Sequence, residues 1–391
     1  MKDQIKFYPI NWMDGMKINK QHFIAQNHAW GNQLHDMAAL SLSPIRFGIL
    51  PASAAGEDNY SMSISLDNQG TLRASVRACQ AVTSGGVRIQ LPIPVETSTD
   101  GVPATSFDFK ATAGESTYWI VLMVNPFDCI PGGSPDVSED PPRYPFAFPK
   151  YQLQIVSASQ YAQYAHHPYA LMVGKVRANG NDIRVDEEYI PPTFCISAHP
   201  DLLALHGELD QYYSALEQRC TQIVQKILKK SQQNELSELV MFLCDRMMLY
   251  IAQVITEFRW VTVHDSPAKL FASIAGLSRV MKNTIDLRIG SGKEELMNYL
   301  SEWCELNQGE LDSLFTLVAN MRYDNNDINN NIADTIQFVK VISKLFNTLA
   351  GLEFIGKRKD SGIFVKEETR YTENTPTSTE PQKPKRRFFG S

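Results

Sequence analysis

The sequence predicts a β+α protein, a β-rich N-terminal half followed by a helical bundle. Three observations predict it. From about residue 45 to 190, apolar side chains recur with period two between turn-forming clusters. From Asp201 onward the spacing changes to three and four. Between the two regimes stands Pro191-Pro192, which cannot donate to a strand ladder.

The β half reads in order as short strands. Tyr60 to Leu66 alternates polar and apolar, Asp67-Asn68-Gln69-Gly70 supplies turn chemistry, and Thr71 to Val76 alternates again, a hairpin. Thr117 to Val124 is rich in aromatic and branched residues and suits a buried strand. Tyr151 to Val156 repeats the period-two pattern. Tyr169 to Val176 and Ile183 to Val185 flank Asn179-Gly180-Asn181-Asp182, a second hairpin. Evenly spaced strands of this kind predict a sandwich or a barrel. Pro131 to Pro149 reads as an extended surface loop, either a contact element or simply solvated.

The helical half carries apolar stripes. Leu202, Leu205, Leu209, Tyr212 and Leu216 step by three and four, and Cys220, Ile223 and Ile227 continue after a phase shift. A second helix carries Leu236, Val240, Leu243, Met247, Tyr250 and Val254. Such stripes fit a bundle or coiled-coil neck, or an ordinary intrachain helix pair. Ser266-Pro267 marks a helix start, with Leu270, Phe271, Ile274, Leu277, Val280 and Met281 as its apolar face. Gly290-Ser291-Gly292 breaks that helix. Glu294–Asn320 and Ile328–Leu349 give two further helices, separated by the polar stretch Tyr323 to Asn331. Thr369 to Lys385, rich in Thr, Glu and Pro, is expected to be a disordered tail. It leads into the basic, aromatic run Lys385-Arg386-Arg387-Phe388-Phe389, a docking motif or an inert tail. The expected division is therefore 1–190, 191–356 and 357–391, two folded parts and a tail. Two or three units fit the length, since 391 residues exceed what one core usually fills.

Composition excludes several function classes. A formal charge of −6 argues against nucleic-acid binding, which needs a basic face. No apolar region follows Met1-Lys2-Asp3, so no signal peptide is expected, and no uncharged apolar run suits a bilayer span. The six cysteines are scattered without C-x-x-C spacing, as buried free thiols of a reducing compartment would be, which makes the cytoplasm the expected location.

No catalytic, metal or cofactor motif is found. Gly290-Ser291-Gly292-Lys293-Glu294 resembles a phosphate loop, but Leu287 occupies the place of its first glycine and Glu294 would repel phosphate. Asp324-Asn325-Asn326-Asp327-Ile328 lacks the ligand oxygen and glycine of a calcium loop, and Thr335 stands where its last carboxylate belongs. It reads instead as a solvated turn, with Asp327 or Asn326 capping the next helix. His166-His167 are expected on opposite faces of a strand, and the eight histidines show no zinc spacing.

One N-terminal segment, Trp12-Met13-Asp14-Gly15-Met16-Lys17-Ile18-Asn19-Lys20-Gln21-His22-Phe23, resembles the W-x-E-G-M-x-L-x-P-Q-H-F opening of TssK-like baseplate subunits of type VI secretion systems. Asp14 replaces the usual Glu and Lys20 the usual Pro. Tyr189-Ile190-Pro191-Pro192 resembles the family's Y-I-P-P junction. His264-Asp265-Ser266-Pro267 with Ala275-Gly276-Leu277 resembles its H-P-x-x-L-Y and L-A-G pattern. Tyr323-Asp324-Asn325-Asn326-Asp327 resembles its Y-D-H-x-D-L.

The resemblance implies a homotrimer, with a β-sandwich shell over 1–190 and a helical neck over 191–356. It implies that the shell contacts baseplate wedge proteins (TssF/TssG-like), with Trp12, Gly15, Met16, Gln21, His22 and Phe23 either forming that surface or anchoring the N-terminus on the shell, a role for which Trp12 and Phe23 are bulky enough. It implies that Leu205, Leu209, Leu216, Leu243, Met247 and Val254 line the trimer neck. Members usually continue for a further head domain that docks on the membrane complex. Here a polar tail follows Leu352, so an alternative envelope anchor, with Lys385 to Phe389 as its contact, is expected instead. The implied location is the cytoplasmic face of the inner membrane, held there by the apparatus and without membrane insertion. Two other readings stay open. A phage-tail adaptor would present an aromatic site, with Tyr144, Phe146 and Phe148 as candidates that more readily pack their loop onto the sheet. An enzyme would need a convergent cluster of carboxylates or histidines.

Overall fold

The computed structural model describes residues 7–52, 58–67, 71–93, 104–108, 116–179, 182–232 and 234–356. They divide into two units. The first comprises the chain to His199 together with 264–268 and 323–329, and the second comprises the remaining helices. The expected boundary at 190 is thus replaced by a longer first unit that also takes two segments from far downstream.

The first unit begins with α1 (Lys20–Ala39) and then builds two antiparallel sheets. In one, β3 (Thr71–Val82) pairs with β1 (Gly48–Ile49), β2 (Tyr60–Leu66), β4 (Arg88–Leu91) and β5 (Ala104–Asp108). The expected first hairpin is β2 and β3, although residues 68–70 of its turn lie outside the described residues. The other sheet has the order β7-β6-β8-β9, with β6 (Thr117–Gly132), β7 (Phe146–Ser157), β8 (Ala170–Asn179) and β9 (Asp182–Val185). Asn179 pairs with Asp182, the second expected hairpin, whose residues 180–181 also lie outside the description.

Leu72, Val76, Ile89 and Leu91 share one core with Ile120, Leu122, Leu171 and Val173, so the two sheets face each other as a sandwich. Trp119, Val121, Val156 and Met172 point the other way into a second core, which α2 (Tyr161–Ala165) helps to cover. That is why Tyr118 to Val124 reads as a continuous apolar run: β6 is buried on both faces.

Three expectations are corrected in this unit. The Pro-rich stretch is partly strand, because β6 and β7 stay paired as far as Gly132 and Phe146. Tyr144 and Phe146 remain exposed rather than packing onto the sheet. His166 and His167 follow α2 in a turn, not a strand.

The stretch expected as a solvated turn is buried. Asn325 and Asn326 are almost fully covered. The Asn325 amide donates to the Phe47 carbonyl at 2.9 Å, and that of Asn326 to the Ala165 carbonyl at 3.3 Å. Tyr189 donates to the Asn326 carbonyl at 2.7 Å, and Tyr161 donates to Asp324. Burial raises the Tyr161 phenol, and the bond to Asp324 raises it further, so the group stays a donor. Asp327 caps nothing in this arrangement. It meets the Lys175 ammonium at 2.5 Å, and that ammonium lies 5.5 Å from the Trp119 ring centroid. Upstream, Ser266 donates to the Ile45 carbonyl while its hydroxyl accepts from Ala268, the expected cap.

Gly48 has φ +118°, and a Cβ there would lie 2.0 Å from the Pro192 carbonyl oxygen. Both the backbone conformation and the space demand glycine. Gly48→Ala is therefore expected to destabilise the sheet unit by about 3 kcal/mol, read as a lowered urea midpoint.

The second unit is helical: α3 (Pro200–Lys229), α4 (Glu235–Trp260), α5 (Pro267–Asp286), α6 (Lys293–Cys304), α7 (Gln308–Ala319) and α8 (Asn329–Gly351). Pro267 and Ala268 at the start of α5 belong to the first unit, as does Asn329 of α8. The stripes expected on α3 and α4 pack against each other. The helix expected over 294–320 is two. Glu305 takes φ +61° after α6, and Asn307 opens α7 with a reciprocal cap to Glu310. Among the described helices, α4 alone is long and apolar enough to cross a membrane, which the sequence reading did not anticipate. Its Val240, Leu243, Cys244, Met247 and Ile251 are buried in the unit, and it carries exposed Asp245 and Arg246 at mid-length, as a core helix does.

Candidate interaction surface

The N-terminal motif folds as a turn followed by a helix cap. Met16 donates to the Met13 carbonyl at 3.2 Å, and Gly15 takes φ +79° to close that turn. Asn19 then caps α1. Its side chain accepts from the Gln21 and His22 amides at 2.9 and 3.3 Å, and the His22 ring accepts from the Asn19 amide. Gln21 and His22 therefore form the helix start. Trp12 lies 6.1 Å from the His22 ring and 6.3 Å from that of Phe23. Trp12 and Phe23 are both exposed, and Met16 is half-buried.

The inner face of α1 rests on the second sheet. A register shift in β6 between Asn125 and Cys129 turns Phe127 out of the ladder, where the Asn125 side chain takes its amide. Phe7 packs on Phe127 at 4.5 Å, His28 at 5.3 Å and His35 at 6.1 Å. Burial pulls the His35 imidazole below its ordinary value, which favours the neutral ring. Gln26 accepts the Ile10 amide at 3.0 Å and ties the preceding strand of chain to the helix.

The outer face is the unusual one. Phe23, Trp30, Leu34, Met37 and Leu40 recur at steps of seven, four, three and three, and so fall on one stripe. All are exposed, Leu34 at 65% and Met37 at 68%. Within α1 only Lys20 and Asp36 carry a full charge, so this exposed face is largely uncharged. An apolar stripe with a few polar neighbours is what a protein-docking surface presents.

The other predicted site residues lie elsewhere. Leu205, Leu209, Leu216, Leu243 and Met247 are buried within their own chain, and Val254 is half-buried. Lys385, Arg386, Arg387, Phe388 and Phe389 lie outside the described residues. Five of the six cysteines are buried free thiols as expected, and Cys129, on the β6 arm, is exposed. Among the described residues no three His, Cys, Asp or Glu side chains gather as a metal site. The sequence reading missed Trp30, Leu34, Met37 and Leu40, although their spacing of four, three and three residues was open to view.

A model of the family described as Bacterial Type VI secretion, VC_A0110, EvfL, ImpJ, VasE matches residues 22–279. No curated protein matches the chain. Among solved structures, a crystal structure of TssK is similar at 14% identity and TM-score 0.44, over 86% of this chain and 69% of that one. TssK from T6SS EAEC in complex with nanobody nb18 is similar at 16% identity and TM-score 0.41, over 83% of this chain and 99% of that one. A chain of the baseplate complex from the type VI secretion system is similar at 16% identity and TM-score 0.45, over 87% and 99%.

Proposed function

We propose, from the premise that this chain belongs to the bacterial type VI secretion family whose model spans most of it, that it is a structural baseplate subunit. It acts by contact rather than by catalysis. The observation that carries this reading is the exposed apolar stripe of α1, set beside the Trp12–Phe23 turn on a sandwich that holds both rigidly. This surface takes the wedge proteins of the baseplate, TssF/TssG-like partners, on the cytoplasmic side of the envelope. A second contact, to the membrane complex or another envelope anchor, links the baseplate to the inner membrane.

The subunit works as a homotrimer. Its copies do not meet through Leu205, Leu209, Leu216, Leu243 and Met247, because those side chains are already used inside one chain. The contact falls to the exposed residues of the same helices, Leu203 on α3 and Leu249 and Trp260 on α4, the last two spaced by three turns on one stripe. Three-fold repetition then multiplies weak wedge contacts through effective concentration. Light scattering on the purified chain is expected to give three times the 44.0 kDa of one copy, and Trp260→Glu is expected to return it to one. A wild-type monomer would overturn the trimer, and a trimer unaffected by that substitution would overturn this interface.

A further inference from the structure

Two of the six cysteines meet inside the helical unit. Cys220 on α3 and Cys244 on α4 are both fully buried. Cys220 stands nine residues before the end of α3 and Cys244 nine residues after the start of α4, so in an antiparallel hairpin the two lie level. A second pair fixes that register. His206 and Phe258 stand fourteen residues farther from the turn on either side. The His206 Nε2 lies 2.8 Å from the Phe258 carbonyl oxygen, and the two rings stack at 4.5 Å. The cysteines therefore face each other along the line of contact, flanked by Leu216 and Ile223 on one helix and by Val240 and Met247 on the other.

The spacing there suits a covalent bond. Helix axes about 8–10 Å apart, with Cα atoms on cylinders of about 2.3 Å radius, leave roughly 4–6 Å between facing Cα positions. A disulfide spans about 4.4–6.8 Å. The Cys244 thiol is hydrogen-bonded to the Cys220 sulfur, and that bond first and burial second hold it well above its ordinary value. In the closed hairpin Cys244 thus keeps its proton and both sulfurs are shielded, so thiol chemistry waits for the helices to part. The remaining cysteines stand apart from this pair. Cys79 and Cys195 belong to the first unit, Cys129 is exposed on the β6 ribbon, and Cys304 on α6 donates to the Ser301 carbonyl at 3.7 Å.

We propose that Cys220 and Cys244 form a reversible redox staple across the α3–α4 hairpin, with a low-molecular-weight disulfide as the oxidant. When the hairpin parts, the Cys220 thiol gives its proton to water, and its thiolate attacks one sulfur of the small disulfide. One small thiolate leaves. The Cys244 thiolate, formed in the same way, then attacks the Cys220 sulfur of the mixed disulfide, and the second small thiolate leaves. The two cysteines lose two electrons, and the small disulfide gains them. The two leaving thiolates take up the two protons. Reduced, the hairpin opens locally; oxidised, it is held shut. The mobility of the centre of the helical unit then follows the thiol balance around the protein. The proposal stands on this unit alone and does not depend on the baseplate reading.

The full-length chain with Cys129→Ser, which removes the exposed cysteine, tests it with oxidised glutathione at mildly alkaline pH. Mass spectrometry of non-reduced peptides is expected to find a Cys220–Cys244 disulfide that excess dithiothreitol reverses. It is expected to form faster in urea below the unfolding transition, because opening limits the rate. The oxidised chain is expected to have a urea midpoint about 1 M higher and hydrogen exchange about tenfold slower over α3 and α4. Two separate glutathione adducts, a bond from either cysteine to Cys304, or thiols that stay reduced in that urea would overturn the pair. A disulfide that leaves midpoint and exchange unchanged would overturn the staple. Cys220→Ser in the same background is expected to leave Cys244 as a glutathione adduct and to lose both effects. A midpoint rise that persists there would place the action of glutathione elsewhere and overturn the assignment.

Discussion

Replacing Leu34 and Met37 together by glutamate is expected to abolish binding to the wedge proteins while leaving the chain as stable as before. Both side chains stand on the outer stripe of α1 and touch little of their own chain, so the change in folding stability is expected to stay within about 0.5 kcal/mol. At an interface the outcome is different. Large side chains near the centre of a docking patch contribute about 2 kcal/mol or more each, and a glutamate there also buries an unpaired charge. Two such losses amount to at least a hundredfold weaker binding, at roughly 1.4 kcal/mol for each tenfold. Co-purification from cells expressing both partners, followed by calorimetry, reads the effect. Lys340→Ala, at an exposed position of α8 outside this surface, serves as the neutral control. Wedge binding that survives the double substitution would remove α1 from the interface.

Asp327→Ala is expected to cost about 3–5 kcal/mol, because the Lys175 ammonium would lose its carboxylate where water does not reach it. The two side chains are only 8% and 15% exposed, so solvent screens the pair little. Lys175 sits on β8, in the sheet that also carries α1's support. Loss of the pair is expected to release 323–329 first, seen as faster hydrogen exchange there before the rest of the sandwich responds. Urea denaturation measures the total. Lys175→Met combined with Asp327→Leu is expected to recover most of the loss, since an apolar pair of similar volume avoids the stranded charge. A single substitution that costs under about 1 kcal/mol would show that the pair is hydrated after all.

Much of the fold was legible because its periodicities are strong. The stripe on α3 is buried where three-and-four spacing put it, and Val240, Leu243 and Met247 of the α4 stripe are buried while its Leu236, Tyr250 and Val254 are half-buried; the cap at Ser266 and the break at Gly290–Gly292 stand where those residue types act. The features that escaped did so for physical reasons. The α1 helix turns His28 and His35 toward Phe127 of the sheet and Phe23, Trp30, Leu34 and Met37 outward, so at these positions the usual inference from hydrophobicity to burial runs backwards. The 323–329 segment misled for the related reason that polarity normally signals solvent. Here Asn325 and Asn326 are polar because they satisfy main-chain carbonyls in a buried place. In the Pro131–Pro149 stretch the prolines alone pointed to a loop. Prolines on a ribbon with no neighbours beyond its own two strands cost no ladder bonds, so pairing continues to Gly132. Of the candidate surface, Trp12 and Phe23 were visible in a motif, but that Gln21 and His22 belong to a helix start comes only from the geometry.

The two downstream segments that complete the sandwich unit also set an order of events during synthesis. The carbonyls of Phe47 and Ala165 wait for Asn325 and Asn326, and Lys175 waits for Asp327, which leave the ribosome about 150 to 280 residues later at about 5–20 residues per second. For that interval the outer face of the second sheet, with Trp119 and a lone ammonium, is unfinished. The N-terminal unit is therefore not an independently heritable module. A gene fragment ending at residue 199 is expected to yield a chain prone to aggregate, and evolution can lengthen or replace the chain beyond Gly356 far more freely than anything before Asn329.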